Sequence, residues 1–312
     1  MATEAFVTRQ CDRIDQTTGL PLFASALADL PKMIRANDPQ LPLGIIALAI
    51  VPDPLYLRQS AQLPGLASEA FIAALPLLGA KERIPRFDEV NERLHRATRW
   101  QLVAVPGLIP EEAFFSLLAA RKFPVTDWIR RPEEFEYIVE PDVFHDLFGH
   151  VPLLFNPMLA DYMQRYGEGG LKAARLGSCE MLARLYWYTI EFGLLQQHGG
   201  LRLYGAGIAS SYAETRFCLD DASPHRIGLT LERVMRTHYR IDDFQEAYFV
   251  IRDLDALLEF TRIDFAPLYE HVQQLPELQP GELLEDDLVF TRGSGRYHAA
   301  RRKACRDTAA RG

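Results

Sequence analysis

Two histidines and one glutamate have the types and surroundings needed to bind a metal ion. His145 and His150 lie five residues apart, in Glu140-Pro-Asp-Val-Phe-His-Asp-Leu-Phe-Gly-His150, and Glu191 lies in the aromatic segment Leu185–Gly193. Two imidazoles and one carboxylate leave positions open on a divalent ion, which is the ligand set of non-haem Fe(II) oxygen chemistry. A structural site normally fills its coordination shell. The three residues therefore predict a catalytic metal centre.

The spacing of the two histidines does not suit a regular α-helix. Residues five apart lie about 140° apart around the helix axis, so a straight helix would aim the two rings in different directions. Pro141 favours a helix start. Gly149 and Pro152 favour a helix end near His150. We expect this end to let the His150 ring turn toward the ion.

Glu191 presents a carboxylate among apolar and aromatic neighbours. Ser178 is expected to open a long helix that runs to Gly199-Gly200 and contains Glu191. An ionised carboxylate that is buried without a partner is very costly. Glu191 must therefore bind a metal or pair with a cation, and Arg184 is the candidate cation on the same helix. The spacing alone leaves both possibilities open.

Two other motifs compete with an oxygenase. In the His-Glu-x-x-His motif of zinc hydrolases the histidines lie four apart and the residue after the first is the general base. Here the spacing is five and that residue is Asp146. Gly205-Ala-Gly207-Ile-Ala-Ser210 follows a candidate strand but lacks the third glycine of a dinucleotide-binding turn. A zinc hydrolase, a nicotinamide dehydrogenase and a non-catalytic metal-binding protein remain alternatives.

The composition indicates a globular protein that acts on small molecules. The 312 residues are 48% hydrophobic, enough for a packed core, and the net charge of −8 argues against general binding to nucleic acid or anionic membranes. The cysteines are scattered, and the first residues lack the pattern of a secretory signal, so we expect a cytoplasmic protein. The most apolar run, Leu43–Val51, has about half of the roughly 20 residues that span a bilayer.

The hydrophobic pattern predicts a mainly α-helical domain with a few short strands. Helices are expected near 86–98, after Pro110 and after Asp253. The candidate strands are Gln101–Val105, Leu201–Tyr204 and Ala247–Ile251. Regular βαβ alternation is missing, which excludes a doubly wound fold. The residues from Thr291 onward are rich in Arg and Lys and poor in large apolar side chains, which predicts a solvated tail.

Six longer motifs resemble the pterin-dependent aromatic amino acid hydroxylases, above all their bacterial phenylalanine-hydroxylating members. The motifs keep the order and spacing of that family over residues 55 to 270. They are Ile84–Asn91, Val105–Pro110, Phe123–Arg130, Glu140–Pro152, Tyr186–Gly193 and Tyr204–Ser211.

The resemblance implies a fold, cofactors and a reaction. It implies a single helical-basket catalytic domain at 53–280, a variable N-terminal extension at 1–52, and a C-terminal segment with a basic tail at 281–312. His145, His150 and Glu191 would bind Fe(II), with a tetrahydropterin and O2 as cosubstrates. The expected reaction converts L-phenylalanine to L-tyrosine. L-Tryptophan 5-hydroxylation and attack at another ring carbon are the alternatives, and a monomer is expected because the tail has no apolar heptads.

The resemblance also assigns the remaining site residues. Arg130 would bind the substrate carboxylate, a role that suits its planar guanidinium, Asp142 would orient it, and Ser210 would support His145. The side-chain pocket and its rim would be formed by Trp187, Ile241, Tyr137 and Ile138. The pterin would contact Leu108, Ile109, Phe114, Asp146, Ala183 and Tyr186. In this resemblance Trp187 favours phenylalanine over tryptophan or tyrosine as the substrate, and Ile241 argues against tyrosine.

Overall fold

A computed structural model describes residues 54–81, 83–130 and 140–309. The N-terminal extension at 1–52 and the predicted rim residues Tyr137 and Ile138 lie outside the described residues.

Helices form about half of the described chain and agree with the expected mainly α class. They are α1 (Pro54–Gln62), α2 (Glu69–Ala74), α3 (Phe87–Thr98), α4 (Glu111–Ala119), α5 (Val151–Leu154), α6 (Pro157–Arg175), α7 (Cys179–Tyr186), α8 (Ala206–Ala209), α9 (Tyr212–Asp220), α10 (Leu231–Met235), α11 (Asp255–Phe260), α12 (Phe265–Val272) and α13 (Arg296–Ala309). A 3₁₀ turn spans Leu75–Leu78, and π turns span His145–His150 and Trp187–Glu191.

Local sequence signals explain where several helices begin. The Ser68 side chain accepts a hydrogen bond from the backbone N–H of Phe71 and caps α2. Helix α3 buries Val90 and Leu94 on one face, as its periodicity predicted. Helix α4 begins after Pro110 and carries two acidic residues in its first turn. The predictions of a helix near 86–98 and of a helix after Pro110 are confirmed.

The strands form two small sheets. They are β1 (Gln101–Val105), β2 (Lys122–Thr126), β3 (Leu194–Gln197), β4 (Gly200–Leu203), β5 (His225–Gly228), β6 (Ala247–Ile251) and β7 (Val289–Thr291). Strands β1 and β2 pair in parallel, and the other five form a sheet in the order β4-β3-β6-β5-β7. The parallel pairs in both sheets are joined through helices, so the sheets support a helical body.

The prediction of one long helix from Ser178 to Gly199-Gly200 is wrong. The helical segment stops at Glu191, and the chain continues as the antiparallel hairpin β3–β4. Gly199 has a φ of +87°, a conformation that favours glycine in a tight hairpin loop. The two glycines therefore mark a turn between strands, where the sequence interpretation placed a helix end.

The solvated tail expected from Thr291 is also wrong over its described part. Helix α13 packs against the segment before β6: Tyr297 stacks on Phe244, with ring centroids 5.5 Å apart, and its hydroxyl donates to Asp243 at 2.8 Å. His298 is buried. Ring contacts of Tyr297 and ion pairs from Arg301 to Asp243 and from Arg302 to Glu246 dock this basic helix. The composition alone does not reveal these contacts.

One continuous core joins the helical body to the larger sheet. Its largest fully buried side chains include Trp100, Tyr162, Tyr188, Tyr204 and Tyr248. None of the described helices combines the length and apolarity that a bilayer crossing requires.

Candidate metal centre and active-site cavity

All three predicted metal ligands lie on the two π turns. The backbone N–H of Val151 donates to the carbonyl of Asp146, and that of Phe192 donates to Trp187, both spanning five residues. A π turn is wider than an α turn and occurs frequently at functional sites. It brings residues five apart onto one side, which resolves the spacing of the two histidines. The helix end expected at Gly149 is wrong, because the chain continues directly into α5.

Gly149 has a different role from the predicted helix end. A Cβ atom at this position would lie 2.7 Å from the carbonyl oxygen of Ala206, in helix α8. Only glycine allows the first π turn to approach α8 this closely. The contact brings Ser210, which follows α8, next to His145.

The three ligand side chains converge on one point. The Nε2 atoms of His145 and His150 lie 3.0 Å apart. The Glu191 carboxylate lies 3.1 Å from His150 Nε2 and 3.6 Å from His145 Nε2. An octahedral ion with bonds of about 2.1 Å holds neighbouring donor atoms about 3 Å apart. The arrangement therefore fits one divalent metal with open positions.

Ser210 fixes the tautomer of His145. The serine hydroxyl donates its single hydrogen to the carbonyl of Ala206 at 2.9 Å. It must therefore accept a hydrogen bond from His145 Nδ1, which lies 2.9 Å away. With the proton on Nδ1, the Nε2 lone pair faces the other two ligands, as metal binding requires.

Burial keeps His145 available as a ligand. It lowers the pKa of His145 to about 4, so the ring is neutral at pH 7. Burial opposes ionisation of Glu191, but the neighbouring His150 outweighs it and lowers the pKa of the carboxyl group. The backbone N–H of Gly207 also donates to this carboxylate. The centre thus presents a neutral imidazole beside an ionised carboxylate.

The alternative prediction, that Arg184 pairs with Glu191, is wrong. Arg184 pairs with Glu180 at 2.6 Å and with Glu277 at 2.7 Å. Its guanidinium therefore faces away from Glu191. Among the described residues, the only group of three or more potential metal ligands is His145, His150 and Glu191.

A cavity of about 290 Å³ opens beside this centre. Its wall includes His145 and Glu191, together with Arg130, Trp187 and Ser210. The five residues come from segments up to 80 positions apart, and the fold brings them to one site.

Arg130 is held in this wall by Asp142. Its Nε and Nη2 atoms donate to the two carboxylate oxygens at 2.8 and 2.9 Å, and both side chains are buried. Asp142 also accepts the backbone N–H of His145 at 2.8 Å. One carboxylate therefore positions both the guanidinium and the start of the first π turn.

Comparison with known proteins identifies the family. The model of the biopterin-dependent aromatic amino acid hydroxylases matches residues 63–267. A phenylalanine-4-hydroxylase of Ralstonia nicotianae is 57% identical over 241 residues, covering 77% of this chain and 77% of that relative. One of Chromobacterium violaceum is 54% identical over 243 residues, covering 77% of this chain and 81% of that relative. The chain belongs to the biopterin-dependent aromatic amino acid hydroxylase family.

Solved structures agree with this assignment. The crystal structure of phenylalanine hydroxylase from Chromobacterium violaceum bound to cobalt has a TM-score of 0.77 and 50% identity, covering 82% of this chain and 94% of that one. Hydroxylases of this family depend on iron and use a tetrahydropterin and O2. Their substrates are aromatic amino acids. The donor set of the π turns fits this iron dependence.

Family membership excludes the competing chemistries. Asp146, which a zinc hydrolase would use as its base, accepts hydrogen bonds from the backbone and hydroxyl of Thr126. The Gly205–Ser210 motif forms the short helix α8 after an antiparallel hairpin, so it is not part of a βαβ unit. The hydrolase and dehydrogenase alternatives are therefore wrong.

The hydroxylase cavity has an aromatic wall built around Trp187. The indole stacks on Tyr239, with ring centroids 4.2 Å apart, and its Nε1 donates to Gln245 at 3.0 Å. Ile241 lines the same cavity. Phe192 packs against the indole as well, with centroids 4.7 Å apart, so two rings and one hydrogen bond fix its position.

Several of the residues assigned to the pterin lie beside the metal centre. Tyr186 stacks over His150, with centroids 6.3 Å apart, and meets Phe114 edge to face at 5.8 Å. Leu108 lines the cavity and is exposed, and Ile109 is half-buried. Ala183 is one turn before Trp187 on the same helical segment, and Asp146 is a buried residue of the first π turn.

Four polar residues of the cavity wall that lie outside the six motifs were missed from the sequence. They are Glu214, Arg240, Asp243 and Gln245. Glu214 lies one helical turn after the Tyr204–Ser211 motif, and this proximity was the one available signal. The others follow no motif that the sequence interpretation used.

Proposed function

We propose that this protein is an iron- and tetrahydropterin-dependent monooxygenase that converts L-phenylalanine to L-tyrosine with O2. The observation that carries the proposal is the convergence of two imidazoles and one carboxylate beside a cavity that holds Arg130 and Trp187. The two relatives named above, both phenylalanine-4-hydroxylases, support the choice of substrate.

The bound groups supply the oxygen chemistry, and the protein supplies position. When bound, iron and the tetrahydropterin activate O2 and provide the oxygen atom that is transferred to the ring. His145, His150 and Glu191 hold the metal and leave its remaining positions open. Ser210 keeps the His145 lone pair directed at the metal.

Arg130 anchors the substrate by its carboxylate in this proposal. Asp142 occupies Nε and Nη2, while Nη1 has no hydrogen-bond partner among the residues that the structure describes. The free edge can therefore donate to a carboxylate in the cavity. With the amino acid end held there, the ring lies against the Trp187 wall, and the apolar lining excludes water.

The pterin would bind in the same cavity, next to Leu108 and Tyr186. Phe114 and Tyr186 offer ring faces for stacking, and Leu108 and Ile109 cover its edge. Asp146 stands near the metal with a carboxyl pKa that burial raises to about 7. Ala183 leaves room for a planar ring because its side chain is one methyl group.

Product analysis tests the proposed reaction. The protein is loaded anaerobically with Fe(II), then mixed with phenylalanine, a tetrahydropterin and O2. We expect tyrosine in proportion to the pterin consumed, and none when the pterin is left out. Turnover of tryptophan without formation of tyrosine, or a product hydroxylated at another ring carbon, would contradict the substrate assignment.

We further propose that the enzyme is a cytoplasmic monomer whose partners are small molecules, with neither nucleic acid nor membrane among them. The net charge of −8 supports this proposal. The four cysteines are scattered along the sequence without a C-x-x-C pair, which suits a reducing compartment. Light scattering after size-exclusion chromatography tests the oligomeric state, and a mass of twice 35.4 kDa would contradict a monomer.

A further inference from the structure

Glu214, in helix α9, is a buried carboxyl group with one oxygen in use and one without a partner. The hydroxyl of Tyr248 donates to Oε1 at 2.6 Å, and the backbone N–H of Gln245 donates to the same atom at 3.2 Å. Oε2 has no hydrogen-bond partner among the described residues. The residue lines the active-site cavity although its exposure is only 3%.

The other carboxylates around the cavity already have partners on the protein. Glu191 contacts His145 and His150 with its two oxygens. Asp243 accepts from the hydroxyl of Tyr297 at 2.8 Å and from the guanidinium of Arg301 at 3.0 Å. Within the described lining, Oε2 of Glu214 is therefore the carboxylate oxygen left for a ligand.

The two arginines of the cavity wall also differ in how far they are paired within the protein. Arg240 pairs with Asp242 at 2.8 Å and with Glu246 at 3.4 Å, so its charge is compensated within the protein. Arg130 keeps Nη1 without a partner among the described residues, beyond its pair with Asp142. The cavity thus offers one unused guanidinium edge and one unused carboxylate oxygen, which complement the two charges of a free α-amino acid.

We propose that Glu214 binds the α-ammonium group of the amino acid substrate while Arg130 binds its carboxylate. This inference rests on the proposed function and extends it to a second recognition point. Such a pair would accept free amino acids and reject aromatic acids or amines that lack one of the charges. A site built to bind a polar group loses much affinity for an analogue without it, because its own buried group is then left unpaired.

The environment of Glu214 agrees with a role that needs an incoming cation. Burial raises the pKa of this carboxyl group to about 7, although the Tyr248 hydroxyl acts in the opposite direction. An ammonium group at hydrogen-bond distance would stabilise the ionised form and offset the cost of burial. In this interpretation the protein keeps a costly carboxyl group in its core because the substrate completes it.

The test compares two ligands that differ in one group. Binding of L-phenylalanine and of 3-phenylpropanoate, which keeps the ring and the carboxylate but lacks the ammonium, is measured by calorimetry on the Fe(II)-loaded enzyme without O2. In Glu214→Gln we expect affinity for L-phenylalanine to fall about 10- to 100-fold. Affinity for 3-phenylpropanoate should change less than about 2-fold, since Gln keeps the hydrogen bonds from Tyr248 and Gln245.

Equal losses for the two ligands would overturn the proposal, because they indicate a structural role for Glu214. Unchanged binding of L-phenylalanine would overturn it as well. Arg216→Gln, an exposed change on the same helix, serves as the matched control and should alter neither affinity. Should Glu214→Gln fail to fold, Glu214→Asp keeps the charge with a shorter reach, and the same comparison of the two ligands decides.

The test separates this inference from the proposed function. Calorimetry without O2 measures recognition and requires no turnover. If the wild-type enzyme forms no tyrosine, the proposed function fails, while the preference for the ammonium-bearing ligand still reports on Glu214. If tyrosine is formed and Glu214→Gln keeps the wild-type preference, only the role of Glu214 fails.

Discussion

The two ends of the active-site cavity are built in different ways. At the metal end, His145, His150 and Glu191 point at one another, and backbone geometry in the two π turns holds them there. At the amino acid end, Arg130 and Asp142 compensate each other through two direct hydrogen bonds. The first arrangement needs an external ion, whereas the ion pair of the second forms within the protein and leaves only Nη1 of Arg130 for a ligand. Loss of a metal ligand should therefore remove activity, and loss of Asp142 should cost stability.

Removing a ligand from the metal end should have the largest effect. In His150→Ala, two donors remain, and we expect loss of bound iron and a fall in turnover of at least about 1,000-fold, because the metal provides several kcal/mol of transition-state stabilisation. Metal analysis and the tyrosine assay measure this. Far-UV circular dichroism should be unchanged. His95→Ala, an exposed change on α3, is the control. An unfolded His150→Ala protein would contradict the claim that changes at the metal end remove activity and leave the fold intact.

Removing the carboxylate from the amino acid end should instead destabilise the fold. Asp142→Ala leaves the Arg130 guanidinium buried without its ionic partner, which costs about 3–5 kcal/mol in the free energy of unfolding. Urea unfolding measures this value. Glu180→Ala provides a contrast, because Arg184 keeps its ion pair with Glu277. This variant should lose less than about 1 kcal/mol in its free energy of unfolding. Equal losses in these two variants would show that Asp142 does not have the assigned role.

The buried carboxyl group of Glu214 should make stability depend on pH. Its pKa is raised from 4.5 to about 7 by burial, so the folded state holds a proton that the unfolded state releases between these values. Stability should therefore fall as pH rises from 4.5 to 7. Tyr248, Gln245 and Asp243 also act on this group.

The variant Glu214→Gln isolates this contribution. Its free energy of unfolding, measured against the wild type at pH 5 and pH 8, should rise relative to the wild type by about 2–3 kcal/mol over that interval. When the two free energies of unfolding are subtracted at each pH, the contributions of all other titrating groups cancel. A constant difference across the interval would rule out the raised pKa.

The smallest of these effects is expected at Ser210. Loss of its hydroxyl removes the acceptor that fixes the His145 tautomer, and changes of this kind typically lower metal affinity about 10- to 100-fold. Competition with a chelator measures the affinity of Ser210→Ala for Fe(II). The neighbouring Ser211 is a matched control because its buried hydroxyl has no hydrogen-bond partner in the described structure. If Ser211→Ala weakened iron binding as much as Ser210→Ala, orientation of His145 would not be the cause.

The sequence predicted the parts of this molecule that depend on local periodicity or on long motifs. Helix α3 follows from the spacing of Val90 and Leu94, and the metal ligands follow from residue type and the family motifs. The geometry that joins those ligands could not be predicted. Periodicity templates assume 3.6 residues per turn, and a π turn violates that assumption at the site itself.

Other misses have a common physical cause. The segment after Glu191 is apolar enough for a helix or a strand, and the turn at Gly199 decides between them. Glu214 gains its importance from Tyr248 and Gln245, which lie more than 30 residues away in the sequence. Contacts of this range leave no periodic signal. The sequence therefore predicts well which residues have the chemistry to act in the site. It predicts less well which of them the fold leaves without a hydrogen-bond partner.

The π turns make the metal centre sensitive to chain length. Each turn contains one more residue than an α-helical turn of the same rise. A one-residue deletion inside His145–His150 would convert the π turn into an ordinary α turn and leave the two histidines four residues apart, which still places both rings on one helix face. A one-residue insertion would place them six residues apart, about 120° from each other around an α-helix, so they would no longer face one ion. The site should therefore tolerate a shorter spacing between its histidines better than a longer one.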